Sequence, residues 1–137
     1  MYLISACLAG VNCKYDGGNN EDEKILELVK AGKAILVCPE QLGGLPTPRL
    51  PAEIVEKDNE RKVIATDGTD VTSQFIKGAI ETLKIAKMMN IKKVILKSRS
   101  PSCGYGRIYD GSFSKTLKYG NGFTAELLEE NGIEIIK

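Results

Sequence analysis

The chain has 137 residues, 42% of them hydrophobic, with 19 Lys and Arg against 18 Asp and Glu, a formal charge of +1 and no histidine. That length suits one domain over residues 1–137, with a real core but no room for two. The near-neutral balance gives no electrostatic steering toward nucleic acid or a membrane surface, and the missing histidines exclude Cys–His nucleophile pairs, His general bases and mixed Cys/His zinc sites.

Taken from the start, Met1-Tyr2-Leu3-Ile4-Ser5 carries no basic segment and too short an apolar run for a secretory signal. No stretch approaches the roughly 20 apolar residues of a membrane span. A cytoplasmic location is expected. Residues 2–6 predict a short buried strand, followed by a long loop with Gly10, Asn12, Asp16, Gly17, Gly18, Asn19 and Asn20 as turn formers. Asn20 or Asp22 can cap a helix through Lys30, with Ile25, Leu26, Leu28 and Val29 as its apolar face and Gly32 at its end. Ala34–Val37 predicts a second strand. The stretch from Cys38 to Pro51 is so rich in proline and glycine that a shaped loop is expected there rather than a helix.

Glu53–Lys57 and Arg61–Ala65, around Asp58-Asn59-Glu60, predict a polar hairpin at a sheet edge. Asp70 or Thr72 opens the longest helix, to about Met89, with Phe75, Ile76, Ala79, Ile80, Leu83 and Ala86 in helical period. Lys92–Lys97 predicts a third strand, residues 98–123 a second long loop, and Thr124 the cap of a last helix over Ala125–Glu130. Asn131-Gly132 stops that helix and Ile133–Ile136 gives the final strand. The alternation of strands and helices predicts an α/β fold of three layers: a Rossmann-like, mostly parallel sheet of about four strands, helices on both faces, and a small edge hairpin.

In such sheets ligands bind beyond the carboxyl ends of the strands. The loops expected there carry the four cysteines. Cys7 and Cys13 follow the first strand, Cys38 the second, and Cys103 lies in Ser98-Arg99-Ser100-Pro101-Ser102-Cys103-Gly104 after the third. A single cysteine at a strand end is often a small buried hydrophobe, but this distribution places several thiols around one crevice. In a reducing compartment it points to metal or catalytic chemistry rather than disulfides. Structural zinc favours close C-x2–4-C pairs, whereas Cys7 and Cys13 have five residues between them and the other two are isolated. Scattered single ligands suit an iron–sulfur cluster gripped from different loops, and a cluster iron without a protein ligand would leave an open position for substrate.

Polar groups stand close by in the sequence. Glu40, in Cys38-Pro39-Glu40, can serve as a general acid/base or as a solvated loop carboxylate. One of the hydroxyls of Ser98, Ser100 and Ser102 can reach a substrate or a cluster sulfide, the others being turn residues. Arg49 can bind an anion or hold its loop by ion pairing. In Lys14-Tyr15-Asp16-Gly17, packing of Tyr15 and amide capping by Asp16 can pin the first loop, and Gly43-Gly44 can admit close backbone approach to a ligand.

Together, Ser5-Ala6-Cys7-Leu8, the Gly10–Gly17 segment, Cys38 through Arg49, and Lys97 through Gly104 resemble a bacterial family long described as a domain of unknown function, to which the thiouracil desulfidases belong. Asp70-Val71-Thr72 and Gly122-Phe123-Thr124-Ala125 extend the resemblance over essentially the whole chain. It implies a 4Fe-4S cluster held by only three cysteines, whose free iron binds the sulfur of a thiolated pyrimidine while water replaces sulfur at carbon without net redox chemistry. On this basis Cys7, Cys38 and Cys103 are the implied ligands, and Cys13 is a neighbouring thiol or proton carrier. An exchange of Cys7 and Cys13 is the alternative. Glu40 is the implied acid/base and Ser100 the implied substrate contact. The competing expectation is a non-catalytic protein carrying zinc, sulfide or an iron–sulfur cluster.

Overall fold

The computed structural model describes residues 1–136. In chain order it contains β1 (Tyr2–Ser5), a 3-10 turn (Ala6–Ala9), α1 (Glu23–Lys30), β2 (Ala34–Val37) and a single helical turn, α2 (Pro39–Leu42). The hairpin β3 (Ala52–Lys57) and β4 (Glu60–Ala65) and the long α3 (Thr72–Met88) follow. The chain then forms β5 (Lys93–Ile95), β6 (Arg107–Tyr109), β7 (Leu117–Tyr119), α4 (Phe123–Glu130) and β8 (Glu134–Ile136).

The expected parallel sheet is present. Its order is β2-β1-β5-β8, with Leu3 level with Ile35 and Val94, and Val94 level with Ile135. Side chains alternate across it, as the strand period requires. Leu3, Val37 and Val94 enter a core with Ala86, Ile91, Leu128 and Ile133. Leu36 points the other way and joins Ala6, Cys7 and Cys13. Asp22 caps α1 as expected, accepting from the amides of Lys24 and Ile25.

Several expectations are corrected. The segment after Cys38 does contain helix: Pro39 stands at the first helical position, where its missing N–H costs nothing, so α2 forms despite the prolines. The β3–β4 hairpin forms a two-stranded sheet of its own and buries Ile54 and Val63 with Phe75 and Ile108. The predicted loop over 98–123 holds a second antiparallel hairpin, β6–β7. Helix α4 is capped at Gly122, not Thr124. Its first amides are already taken by the Cys103 loop, with Phe123 N donating to Pro101 O and Thr124 N to Ser102 O, both at 2.9 Å. Thr124 therefore lies inside the helix, its hydroxyl enclosed without a partner among the described residues.

On α3 the buried face is Phe75, Gly78, Ala79, Thr82 and Ala86, while Ile76 and Ile80 remain 45% and 44% exposed. Small residues face inward because α2 approaches backbone to backbone. A Cβ at Gly43 would lie 2.0 Å from Gln74 O, and one at Gly78 would lie 2.0 Å from Pro39 O. Gly43 thus admits a helix, not a ligand, and this contact seats the turn that carries Glu40.

Candidate functional site

At the carboxyl edge of the sheet a cavity of about 450 Å³ is lined by Cys7, Cys13, Cys38 and Cys103, together with Glu40, Ser100 and Ser102. The strand ends set the floor. Cys7 lies in the 3-10 turn directly after β1, Cys38 at the end of β2, and Cys103 in the loop after β5. The thiols are unpaired. Cys7, Cys13 and Cys103 are buried and Cys38 is partly exposed.

Burial governs their protonation. It pushes the Cys103 thiol up to about 12, with the charges of Glu40 and Cys38 adding to the rise and the Ser5 and Ser102 hydroxyls opposing it. Burial also raises Cys13 to about 12, reinforced by Cys38 and Cys7. Cys7 is raised for the same reason, with Lys97 and Lys14 pulling the other way. Lys97 is lowered, first by burial and then by the cations Lys14 and Arg99, while the charges of Cys7 and Cys103 act against the fall. The four sulfurs therefore feel one another. Cys7, Cys13 and Cys103 stay protonated unless a cationic centre takes the place of their protons.

Hydroxyl groups surround Cys103. Ser5 Oγ donates to its Sγ at 3.3 Å and accepts from Lys97 N at 2.8 Å. Ser5 is a site residue that the sequence reading did not single out. The available signal was a serine closing an otherwise apolar strand. Ser100 Oγ accepts from Cys103 N at 2.7 Å and lies 3.3 Å from Ser102 Oγ. Ser102, only 2% exposed, donates to Glu40 Oε2 at 2.8 Å. With the Ser100 proton directed at Ser102, the order runs Cys103 N–H, Ser100, Ser102, Glu40. The hydroxyl on Glu40 is thus Ser102, with Ser100 one step behind it.

Glu40 is held on its other oxygen by Arg49, whose Nε donates to Oε1 at 3.0 Å. The Arg49 side chain is 7% exposed and also donates to Cys13 O at 2.9 Å, Thr47 Oγ1 and Pro46 O. Of its two expected roles, loop holding is the one these bonds fulfil. The Cys13 carbonyl additionally accepts from Cys38 Sγ at 3.7 Å. Asp16 caps Gly18 N at 2.9 Å as expected, but Tyr15 is 44% exposed and lines the cavity instead of packing inward. Ser98 is exposed, its carbonyl accepting from Lys97 Nζ.

These residues can be tested for their fit to a metal–sulfur group. Among the described residues, no three His, Cys, Asp or Glu side chains are arranged to share one metal ion, as a tetrahedral zinc would require. A 4Fe-4S cluster distributes its ligand positions over several irons, so it needs thiols around a common cavity rather than at one point. The donor set fits that demand. The enclosed Asn20 carboxamide nitrogen stands close enough to the Cys7 sulfur to favour its ionised form.

Fold and site define a class: a parallel α/β protein with a thiol-floored cavity, a carboxylate at its side and a cation beneath it. The chain matches the 2-thiouracil desulfurase family over residues 2–137, and it belongs to that family. The Bacillus subtilis (strain 168) protein YbbK, described as uncharacterized, is 46% identical over 142 residues, covering 99% of this chain and 94% of its own length. The structure is similar to that of TudS, a 4Fe-4S-dependent thiouracil desulfidase, with a TM-score of 0.90 and 39% identity over 98% of this chain and 88% of the other. No helix among the described residues is long and apolar enough to cross a membrane.

Proposed function

We propose that this protein converts the thiocarbonyl of a thiolated pyrimidine to a carbonyl, consuming water and releasing sulfide. The balance is C=S plus water giving C=O plus hydrogen sulfide, so no electron donor or acceptor is required. Cys7, Cys38 and Cys103 are the proposed thiolates for a 4Fe-4S cluster, which when bound would supply a Lewis-acidic iron with a free position for sulfur. Ser5 stabilises the Cys103 thiolate by donating to its sulfur, and Lys97 adds positive charge beside Cys7 and Cys103. Cys13 is left as a proton carrier next to them.

Glu40 carries the acid/base role. It lies on the same cavity as the thiols, and its carboxylate is oriented by Arg49 on one oxygen and Ser102 on the other. From there it can take a proton from water attacking the thiocarbonyl carbon and return it to the departing sulfur. Membership of the 2-thiouracil desulfurase family is the observation that carries the reading. The Glu40–Ser102 contact beside Cys103 gives it a chemical basis.

The test is anaerobic reconstitution with iron and sulfide, followed by incubation with 2-thiouracil or 4-thiouracil without reductant. The expected result is a brown protein that releases one sulfide for each uracil formed. A colourless protein with stoichiometric zinc would sink the cluster. A brown protein that releases no sulfide from any thiolated base would favour a carrier.

A further inference from the structure

We infer that Phe113, on the turn between β6 and β7, covers the flat face of the substrate base and selects for a ring. The inference rests on the desulfuration reading and adds to it a residue that the thiol chemistry does not use. Phe113 lines the same cavity as the cysteines and is 40% exposed, so its ring is available to a ligand. Tyr15 and Tyr109 line the cavity as well. A flat heteroaromatic base is the chemistry such a wall would recognise, because every base offers a π-face to stack upon.

The backbone holds Phe113 at a cost. Its φ is +57°, a region that bulky residues seldom enter, and Lys115 on the same turn has φ +62°. Such conformations persist only where the surroundings impose them, and they concentrate at ligand clamps. Here the imposing group is Glu53, on β3. Its Oε1 accepts from Gly111 N at 3.0 Å and from Phe113 N at 3.2 Å. A Cβ at Gly111 would stand 2.7 Å from Ile54 O, so the turn is pressed against β3. Asp110 caps Ser112 N from within the turn. The main chain of the turn is fixed while the ring at its tip remains open, which suits a preformed wall for a planar ligand.

The test compares the reconstituted wild type with F113A, F113Y and E53A. Equilibrium binding of 2-thiouracil is measured by titration calorimetry, and KM and kcat are measured for 2-thiouracil and for thioacetamide, a thiocarbonyl without a ring. F113A should raise Kd and KM for 2-thiouracil about tenfold and leave kcat within about twofold, the size expected for losing one stacking contact. Its thioacetamide kinetics and visible absorbance should not change, and F113Y should restore binding. E53A, which frees the turn without removing the ring, should shift KM in the same direction by a smaller factor. Unchanged 2-thiouracil binding in F113A would overturn the inference, as would an equal loss toward thioacetamide. If the wild type binds 2-thiouracil through Phe113 but releases no sulfide, the desulfuration reading fails and the covering role stands. If it neither binds nor turns over, both fall.

Discussion

The thiols on the floor of the cavity follow parallel strands and, Cys38 apart, are nearly enclosed, with Cys13 2% and Cys103 3% exposed, whereas Tyr15 and Phe113 at its rim sit on turns and stay open, 44% and 40% exposed. The floor is cross-braced: Ser5 joins the end of β1 to the segment after β5, and Arg49 joins Glu40 to the Cys13 carbonyl. The Phe113 turn at the rim is tied to β3 by one carboxylate, Glu53. Groups that move protons or hold a charged centre need fixed positions and low exposure, and the sheet edge provides both. Groups that grip a substrate need free surface, and turns supply it. Changes at the floor should therefore abolish chemistry or stability, while changes at the rim should alter affinity.

The sharpest way to break this division is E40Q. Loss of the proposed general acid/base should lower kcat by about 10²–10⁴-fold with iron content unchanged. A loss of iron in E40Q would make Glu40 a structural part of the floor instead. R49A comes next. It strips a part-buried carboxylate of its cation and frees the Cys13 loop, so denaturant unfolding should show a stability loss of about 1–3 kcal/mol. Stability within experimental error of the wild type would mean that the floor is not braced by this pair. S102A should lower kcat by about tenfold or more and S100A by less, since only Ser102 reaches the Glu40 carboxylate. The reverse order would return the principal role to Ser100.

A smaller effect concerns pH. Burial holds Cys103 up to about 12 in the folded protein, against 9.0 when free. Above pH 9 the unfolded chain gives up a proton that the folded chain retains, so ionisation favours unfolding. This contribution to the stability of cofactor-free protein is complete below pH 9 and declines as pH rises toward 12. A denaturant midpoint that stays level across that window would show a floor more open than the structure has it.

What the sequence made legible follows the same division. The order of β1, α1, β2, α3, β5, α4 and β8 was readable because apolar period and cap residues such as Asp22 act locally. Convergence of Cys7, Cys38 and Cys103 followed from the placement of loops beyond parallel strands. The β6–β7 hairpin was not readable, since Arg107–Tyr109 and Leu117–Tyr119 mix polar and apolar residues inside a stretch rich in Gly and Ser, whereas the equally short β5 and β8 lie in apolar runs. Helix α2 was hidden by prolines whose effect depends on position, with Pro39 at the one helical site that tolerates it. The hydrogen bond from Ser102 to Glu40, 62 residues away, depends on a helix seat made by Gly43 and Gly78. No local pattern encodes those contacts.

Four single variants, C7A, C13A, C38A and C103A, bear on the floor most directly when each is reconstituted anaerobically and scored for iron per chain and for sulfide released from 2-thiouracil. A floor of three thiolates with one open iron predicts that C7A, C38A and C103A lose both iron and turnover. C13A should keep its iron and lose turnover alone. Full iron retained in C38A or C103A would contradict it.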